Sequence, residues 1–140
     1  MPSLFVCFFK LDRISKGEHG KMSASNKASA IYLTDTPEQI KEKINKHAFS
    51  GGRDTIEEHR KYGANLDVDV SYQYLTFFLE DDAELADITE KYRTGKLLTY
   101  EVKARLIEVL SELVLDHQRK RAAVTDDVVD AFMAVRKLQF

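Results

Sequence analysis

The 140-residue chain holds 21 Lys and Arg against 23 Asp and Glu, a formal net charge of −2, with 44% hydrophobic residues and one cysteine. The apolar share supports a packed core and excludes wholesale disorder, while the near-neutral balance excludes a uniformly basic nucleic-acid clamp. Lone Cys7 excludes an internal disulfide or a Cys-rich zinc site, and no apolar run approaches the roughly 20 residues of a membrane span. Leu4–Phe9 lacks the basic leader of a signal peptide, so the expected setting is reducing and cytoplasmic.

In chain order, Leu4–Phe9 is rich in β-formers without helical period and reads as one buried strand, of the sort found inside a parallel sheet. It is expected to pair with something outside the chain, because a lone strand leaves both edges unsatisfied and little else here looks extended. Residues 12–30 are rich in Gly, Ser and Lys and read as a long loop, a type that is often functional. The first thirty residues carry a net charge of +3, so the basic excess of the chain sits around this loop. Ala30–Leu33 reads as a short extended piece.

Helices follow. Thr36-Pro37-Glu38-Gln39 predicts a helix start: Thr at the cap, Pro in the first turn and Gln three residues after the cap. Ile40, Ile44, His47 and Ala48 share its inner face, and Gly51-Gly52 is expected to stop it. Thr55-Ile56-Glu57-Glu58 reads as a second capping box, opening a helix that Gly63 ends. Asp67 or Asp69 caps a third helix, and Asp81 or Asp82 a fourth, closed by Gly95. Thr99 is expected to cap a long fifth helix with an apolar stripe of Val102, Leu106, Val109, Leu110, Leu113 and Val114. Thr125 opens a last one carrying Val128, Val129, Phe132 and Met133.

The sharpest chemical signal is Lys21-Met22-Ser23-Ala24-Ser25 on the loop. A lysine held by a flexible loop can meet the negative charge that develops on leaving phosphates, and small hydroxyl residues beside it can bond phosphate oxygens. The plain alternative is a solvated Ser-Lys loop. A second candidate is Gly51-Gly52-Arg53-Asp54: a glycine turn before a helix exposes N–H donors that suit phosphates, Arg53 can stack on an unpaired base, and Asp54 can accept from a base edge. Its plain alternative is that Gly-Gly ends one helix while Asp54 or Thr55 caps the next.

Lys21–Ser25 resembles the KMSKS signature of class I aminoacyl-tRNA synthetases, in the KMSAS variant. With Ser29–Pro37, Lys46–Thr55, Asp67–Tyr72, Leu75–Asp82 and Arg136-Lys137-Leu138 in this order, the chain is similar to the C-terminal part of the tryptophanyl-tRNA synthetases of the eukaryotic and archaeal type. The resemblance implies a mainly α fold: residues 1–34 as the trailing edge of a Rossmann-like catalytic domain with its KMSKS-type loop, and 35–140 as a helical anticodon-binding bundle. It implies catalytic roles for Lys21, Ser23 and Ser25 on the phosphates of ATP, with the Met22 backbone near the adenine. It implies anticodon contacts for Arg53 and Asp54 first and Lys103 second. Ala24 stands where the general motif has a second lysine, which places more of the charge on Lys21.

The resemblance further implies tRNA(Trp), tryptophan and ATP as substrates, Mg²⁺ carried on the phosphates and no protein-bound metal, and a homodimeric parent. The HIGH signature, the nucleotide-binding βα unit and the tryptophan pocket are not in this sequence, so the expected role is that of a fragment which cannot catalyse without the missing N-terminal half. A stand-alone tRNA-binding module and a non-functional truncated fragment are the alternatives. His19, His47 and His59 match no metal spacing and read as core or surface fillers. The acidic groups at 67–69 and 80–82 read as caps rather than a cation site, and Arg119-Lys120-Arg121 suits either a helix C-terminus or an RNA backbone.

Overall fold

The computed structural model describes the backbone of residues 7–10 and the whole of residues 30–135. Two short strands, β1 (Cys7–Lys10) and β2 (Ala30–Tyr32), precede six helices: α1 (Pro37–His47), α2 (Ile56–Tyr62), α3 (Val70–Phe78), α4 (Asp82–Arg93), α5 (Thr99–Ala122) and α6 (Asp126–Met133). The chain is therefore mainly helical, as its punctuation predicts.

The strand expectation needs correcting. β1 pairs antiparallel with β2, Cys7 opposite Tyr32 and Phe8 opposite Ile31, with an irregularity between Phe8 and Lys10. The partner that the sequence does not advertise is Ala30–Tyr32, which buries all three of its residues. Residues 4–6 of the predicted strand lie outside the described residues.

Most helix starts follow the local chemistry. Thr36 and Gln39 form a reciprocal box: the Gln39 N–H donates to Thr36 Oγ1 at 3.3 Å, and the Thr36 N–H to Gln39 Oε1 at 2.9 Å. Thr55 accepts from the Glu58 N–H, Asp69 from the Tyr72 N–H, and Asp81 from the N–H groups of Ala83 and Glu84. Thr99 is a correction: Leu98 occupies the cap position, its N–H held by Glu101 Oε2 at 2.7 Å, and Thr99 is the first helical residue.

α5 is the axis of the packing, with α1 and α3 lying along it. At about 1.5 Å per residue its 24 residues run about 36 Å. Val102, Leu106, Leu110 and Val114, spaced by four, form its buried seam, and Val109 and Leu113 pack at the margin. Facing them are Ile40 and Ile44 of α1, Leu75 of α3, and Ile88 and Tyr92 of α4. α2 and α4 meet through the glycines at their C-terminal ends: Gly63 (φ 67°) and Gly95 (φ 73°) both have a positive φ, which favours glycine. A Cβ on Gly63 would stand 1.8 Å from the Arg93 carbonyl oxygen, and one on Gly95 2.1 Å from that of His59. α6 buries none of its residues.

Candidate nucleic-acid interface

The corner at Ser50–Asp54 lies between α1 and α2 and is held from the start of α3, the end of α4 and the start of α5. α1 stops at His47, capped at Ala48, so Gly51-Gly52 does not terminate it as the sequence predicts. The glycines serve close approach instead. A Cβ on Gly51 would lie 1.9 Å from the Asn65 carbonyl oxygen, and one on Gly52 2.4 Å from Thr99 Oγ1. Backbone bonds seal the same contact: Asn65 N–H to Gly51 O at 2.8 Å and Val70 N–H to Phe49 O at 3.1 Å.

The exposed N–H donors predicted for the glycine turn are taken up inside the protein. The Gly51 N–H donates to Asp69 Oδ2 at 2.8 Å, and the Gly52 N–H to Ser50 Oγ at 3.1 Å. A buried carboxylate behind this turn is also the wrong charge for a phosphate, so the corner is not an anion nest.

Asp69 is the centre of the arrangement, with no exposed surface. Besides Gly51, its Oδ2 accepts the Tyr92 hydroxyl at 2.7 Å, while Oδ1 accepts the Tyr72 N–H at 2.8 Å. Burial first, and the neighbouring Asp69 charge second, raise the Tyr92 phenol above its ordinary pKa, so it stays a protonated donor. The Tyr92 and Thr99 hydroxyls lie 3.1 Å apart, and Thr99 Oγ1 lies 3.2 Å from Ser50 Oγ. His59 is a core group, as expected. Its Nε2 lies 2.8 Å from the Leu97 carbonyl oxygen, which makes Nε2 the protonated nitrogen, and its ring sits 5.6 Å from that of Tyr92.

On this base, Arg53 and Asp54 stand exposed. Arg53 Nε donates to the Gly63 carbonyl oxygen at 3.3 Å. Thr55, not Asp54, caps α2, so the Asp54 carboxylate has no capping duty. Lys103 is engaged elsewhere: its ammonium donates to the carbonyl oxygens of Ala48 at 2.9 Å and Asn45 at 3.4 Å, at the end of α1. That position suits a cation at a helix C-terminus. Burial lowers the Lys103 pKa, and the Asp69 charge opposes the shift. The structure thus places Arg53 and Asp54 side by side on the exposed turn and engages Lys103 with the carbonyl oxygens at the end of α1.

Lys21, Met22, Ser23 and Ser25 lie outside the described residues. Among the described residues no three His, Cys, Asp or Glu side chains gather as a metal site, and Asp69 and Asp81 serve as caps. No helix among them is long and apolar enough to cross a membrane. Arg119 and Lys120 both pair with Asp116 on the last turns of α5, at 3.6 and 2.6 Å. Among the described residues, a groove of about 510 Å³ between the α3–α4 turn and α5 is lined by Glu80, Asp81, Glu84, Glu112 and Asp116 against the single cation Arg105, a net charge unsuited to phosphate. Sequence reasoning missed Ser50, Tyr92 and Thr99 as site-forming residues. Nothing in their spacing marks them, since each acts through a partner in another element.

The sequence profile of tRNA synthetases class I (W and Y) matches residues 6–114. The cytoplasmic tryptophan–tRNA ligase of Arabidopsis thaliana is 63% identical over 123 residues, which are 88% of this chain and 31% of the relative. The human cytoplasmic tryptophan–tRNA ligase is 60% identical over 125 residues, 89% of this chain and 26% of the relative. Among solved structures, a tryptophanyl-tRNA synthetase from Giardia lamblia aligns with a TM-score of 0.81 at 56% identity, covering 86% of this chain and 30% of that one. A homologue from Entamoeba histolytica aligns with a TM-score of 0.74 at 37% identity, covering 81% and 30%. The chain thus spans between about a quarter and a third of the length of these relatives.

Proposed function

The chain belongs to the class I tRNA synthetases of the tryptophan and tyrosine group, and from that membership we propose that it is the C-terminal part of a cytoplasmic tryptophan–tRNA ligase. The observation that carries this reading is the pairing of high identity with short coverage: 63% identity across 88% of the chain, against 31% of the relative. The parent joins tryptophan to tRNA(Trp) at the expense of ATP, with Mg²⁺ carried on the phosphates, and acts as a homodimer. Residues 1–34 form the trailing edge of a Rossmann-like catalytic domain with its KMSKS-type loop. Residues 35–140 form the anticodon-binding bundle.

In this reading Lys21, Ser23 and Ser25 meet the phosphates of ATP, and the Met22 backbone lies near the adenine. When the adenylate forms, negative charge moves onto departing pyrophosphate. A lysine that strengthens its contact at that moment lowers the barrier without tightening the ground state. Arg53 and Asp54 read unpaired anticodon bases, supported by their exposure and by the rigid turn beneath them. Lys103 contributes by closing the end of α1 next to that turn.

The test is a chimera in which these 140 residues replace the matching segment of the Arabidopsis relative. It should charge tRNA(Trp), and Lys21→Ala should lower ATP–pyrophosphate exchange by about a hundredfold, the scale of losing one transition-state donor. A folded but inactive chimera, or one indifferent to Lys21→Ala, would contradict the reading. The isolated chain should show no exchange.

A further inference from the structure

We propose that Asp69 and Tyr92 are positioning residues for RNA recognition: their buried hydrogen bonds fix the backbone of Ser50–Gly52 and so determine where Arg53 and Asp54 stand. The inference rests on the anticodon reading of this corner and adds to it a set of residues that touch no RNA themselves.

A comparison within the chain separates this role from helix capping. Asp81 caps α4 with one exposed oxygen, Oδ1, which accepts from Ala83 and Glu84. Asp69 caps α3 with Oδ1 alone. Capping therefore explains neither the complete burial of Asp69 nor the use of its second oxygen. Burying a carboxylate is costly unless its acceptor positions are filled. Here Oδ2 is filled by a backbone donor of the corner, Gly51, and by the hydroxyl of a tyrosine with no exposed surface.

The connections then close on themselves. Tyr92 OH meets Thr99, Thr99 meets Ser50, and Ser50 accepts the Gly52 N–H. The cap residue of α3, Asp69, with Tyr92 of α4 and Thr99 of α5, thus holds three consecutive residues. Among the described residues, the Arg53 side chain is held by a single 3.3 Å bond to the Gly63 carbonyl oxygen, so its placement depends on the backbone that precedes it. Preorganisation of this kind reduces the ordering cost of binding and sharpens discrimination between correct and incorrect bases.

The experiment measures fluorescence anisotropy of the 140-residue chain with two anticodon stem-loop RNAs, one bearing the tryptophan anticodon and one with a changed base. Tyr92→Phe keeps the ring and removes the hydroxyl. It should reduce the ratio of the two affinities by about tenfold, the equivalent of one hydrogen bond to a charged group. Thr99→Val, which removes the next hydroxyl at little change in volume, should act in the same direction, and Thr99→Ser should restore the ratio. Should Tyr92→Phe not fold, the Thr99 pair decides alone. Ile88→Ala, a cavity in the same helix outside the network, should lower the melting temperature and leave the ratio intact wherever circular dichroism shows folded protein.

Unchanged discrimination in Tyr92→Phe and Thr99→Val, or equal loss in folded Ile88→Ala, overturns the inference. If Arg53→Ala also leaves RNA binding untouched, the anticodon reading itself falls. If Arg53→Ala weakens binding while the network variants do not, only the positioning role falls.

Discussion

The side-chain amide of Gln118 donates to the carbonyl oxygen of Leu33 at 2.9 Å, across 85 residues of sequence. The same nitrogen reaches the Asp35 carbonyl oxygen at 3.1 Å. The far part of α5 therefore holds the turn that follows β2, while its first residue, Thr99, holds the Ser50–Gly52 corner. One helix ties both ends of the bundle. Gln118→Ala leaves both carbonyls without this donor and should cost about 1–2 kcal/mol in urea denaturation. Unchanged stability would mean that water replaces the amide without loss.

Lys43 closes the same turn from the other side. Its ammonium lies 2.6 Å from Asp35 Oδ2 and 2.9 Å from the Ala30 carbonyl oxygen, with both side chains of the ion pair mostly buried. Asp35 Oδ2 also accepts the Tyr32 N–H at 2.8 Å. Lys43→Met strands a buried carboxylate and should cost about 3 kcal/mol in guanidinium denaturation. A loss below about 1 kcal/mol, the scale of a surface pair, would show that the pair is solvated.

Gly51→Ala should be more damaging than its size implies, because the added Cβ would stand 1.9 Å from backbone, the Asn65 carbonyl oxygen. We expect a loss of about 2–3 kcal/mol by thermal or chemical denaturation, from displaced backbone rather than lost area. Near-normal stability would mean that the corner adapts, against the rigidity argued for it.

The Glu84–Arg105 pair predicts a pH dependence. Arg105 Nε and Nη2 donate to the two carboxylate oxygens of Glu84 at 2.5 and 2.9 Å. The bond to Arg105 holds the Glu84 pKa below its ordinary value, with burial opposing. A depressed carboxylate pKa contributes stability that is present above the unfolded value of about 4.3 and is lost as pH falls through the folded value. Both side chains are about one-third exposed, so solvent screening limits the contribution to about 1 kcal/mol. The stability difference between the native chain and Glu84→Gln should be present at neutral pH and shrink below about pH 4. A difference that persists unchanged at pH 3 would contradict the ion pair as its source.

α6 should exchange its amide hydrogens much faster than the middle of α5. It has eight residues, none buried, and leaves Phe132 at 80% and Met133 at 77% exposure, whereas Leu106 is fully buried. A helix this short has no stability of its own in water. Strong protection of α6 amides in hydrogen exchange would show that its apolar face is covered in solution.

Local chemistry made much of this fold legible. Thr36 with Gln39, Thr55 with Glu58, and Asp81 each act within four residues, so the helix starts they predict are the ones observed. Thr99 misleads because its hydroxyl is used across the structure, by Ser50 and Tyr92, leaving the cap position to Leu98. The antiparallel pairing of β1 with β2 was hidden for a similar reason: the three residues of β2 are too few, and too far from β1 in sequence, to carry a pattern of their own. In the candidate site, Arg53 and Asp54 are singled out by the glycine turn before them together with the resemblance, and their exposure is compatible with that proposal. The role of Gly51-Gly52 was not legible, since a helix stop and a close-packed turn ask for the same residue type. Only the positions of Asn65 and Thr99 distinguish them.

The central claim, that the Arg53–Asp54 corner is where this chain meets RNA, is tested most directly by its affinity for the anticodon stem-loop of tRNA(Trp). The native chain should bind this RNA in preference to one with a changed anticodon, and Arg53→Ala and Asp54→Ala should each reduce that affinity by about tenfold while leaving the melting temperature unchanged. Equal binding of both RNAs by the native chain, or full affinity in both variants, would contradict the account.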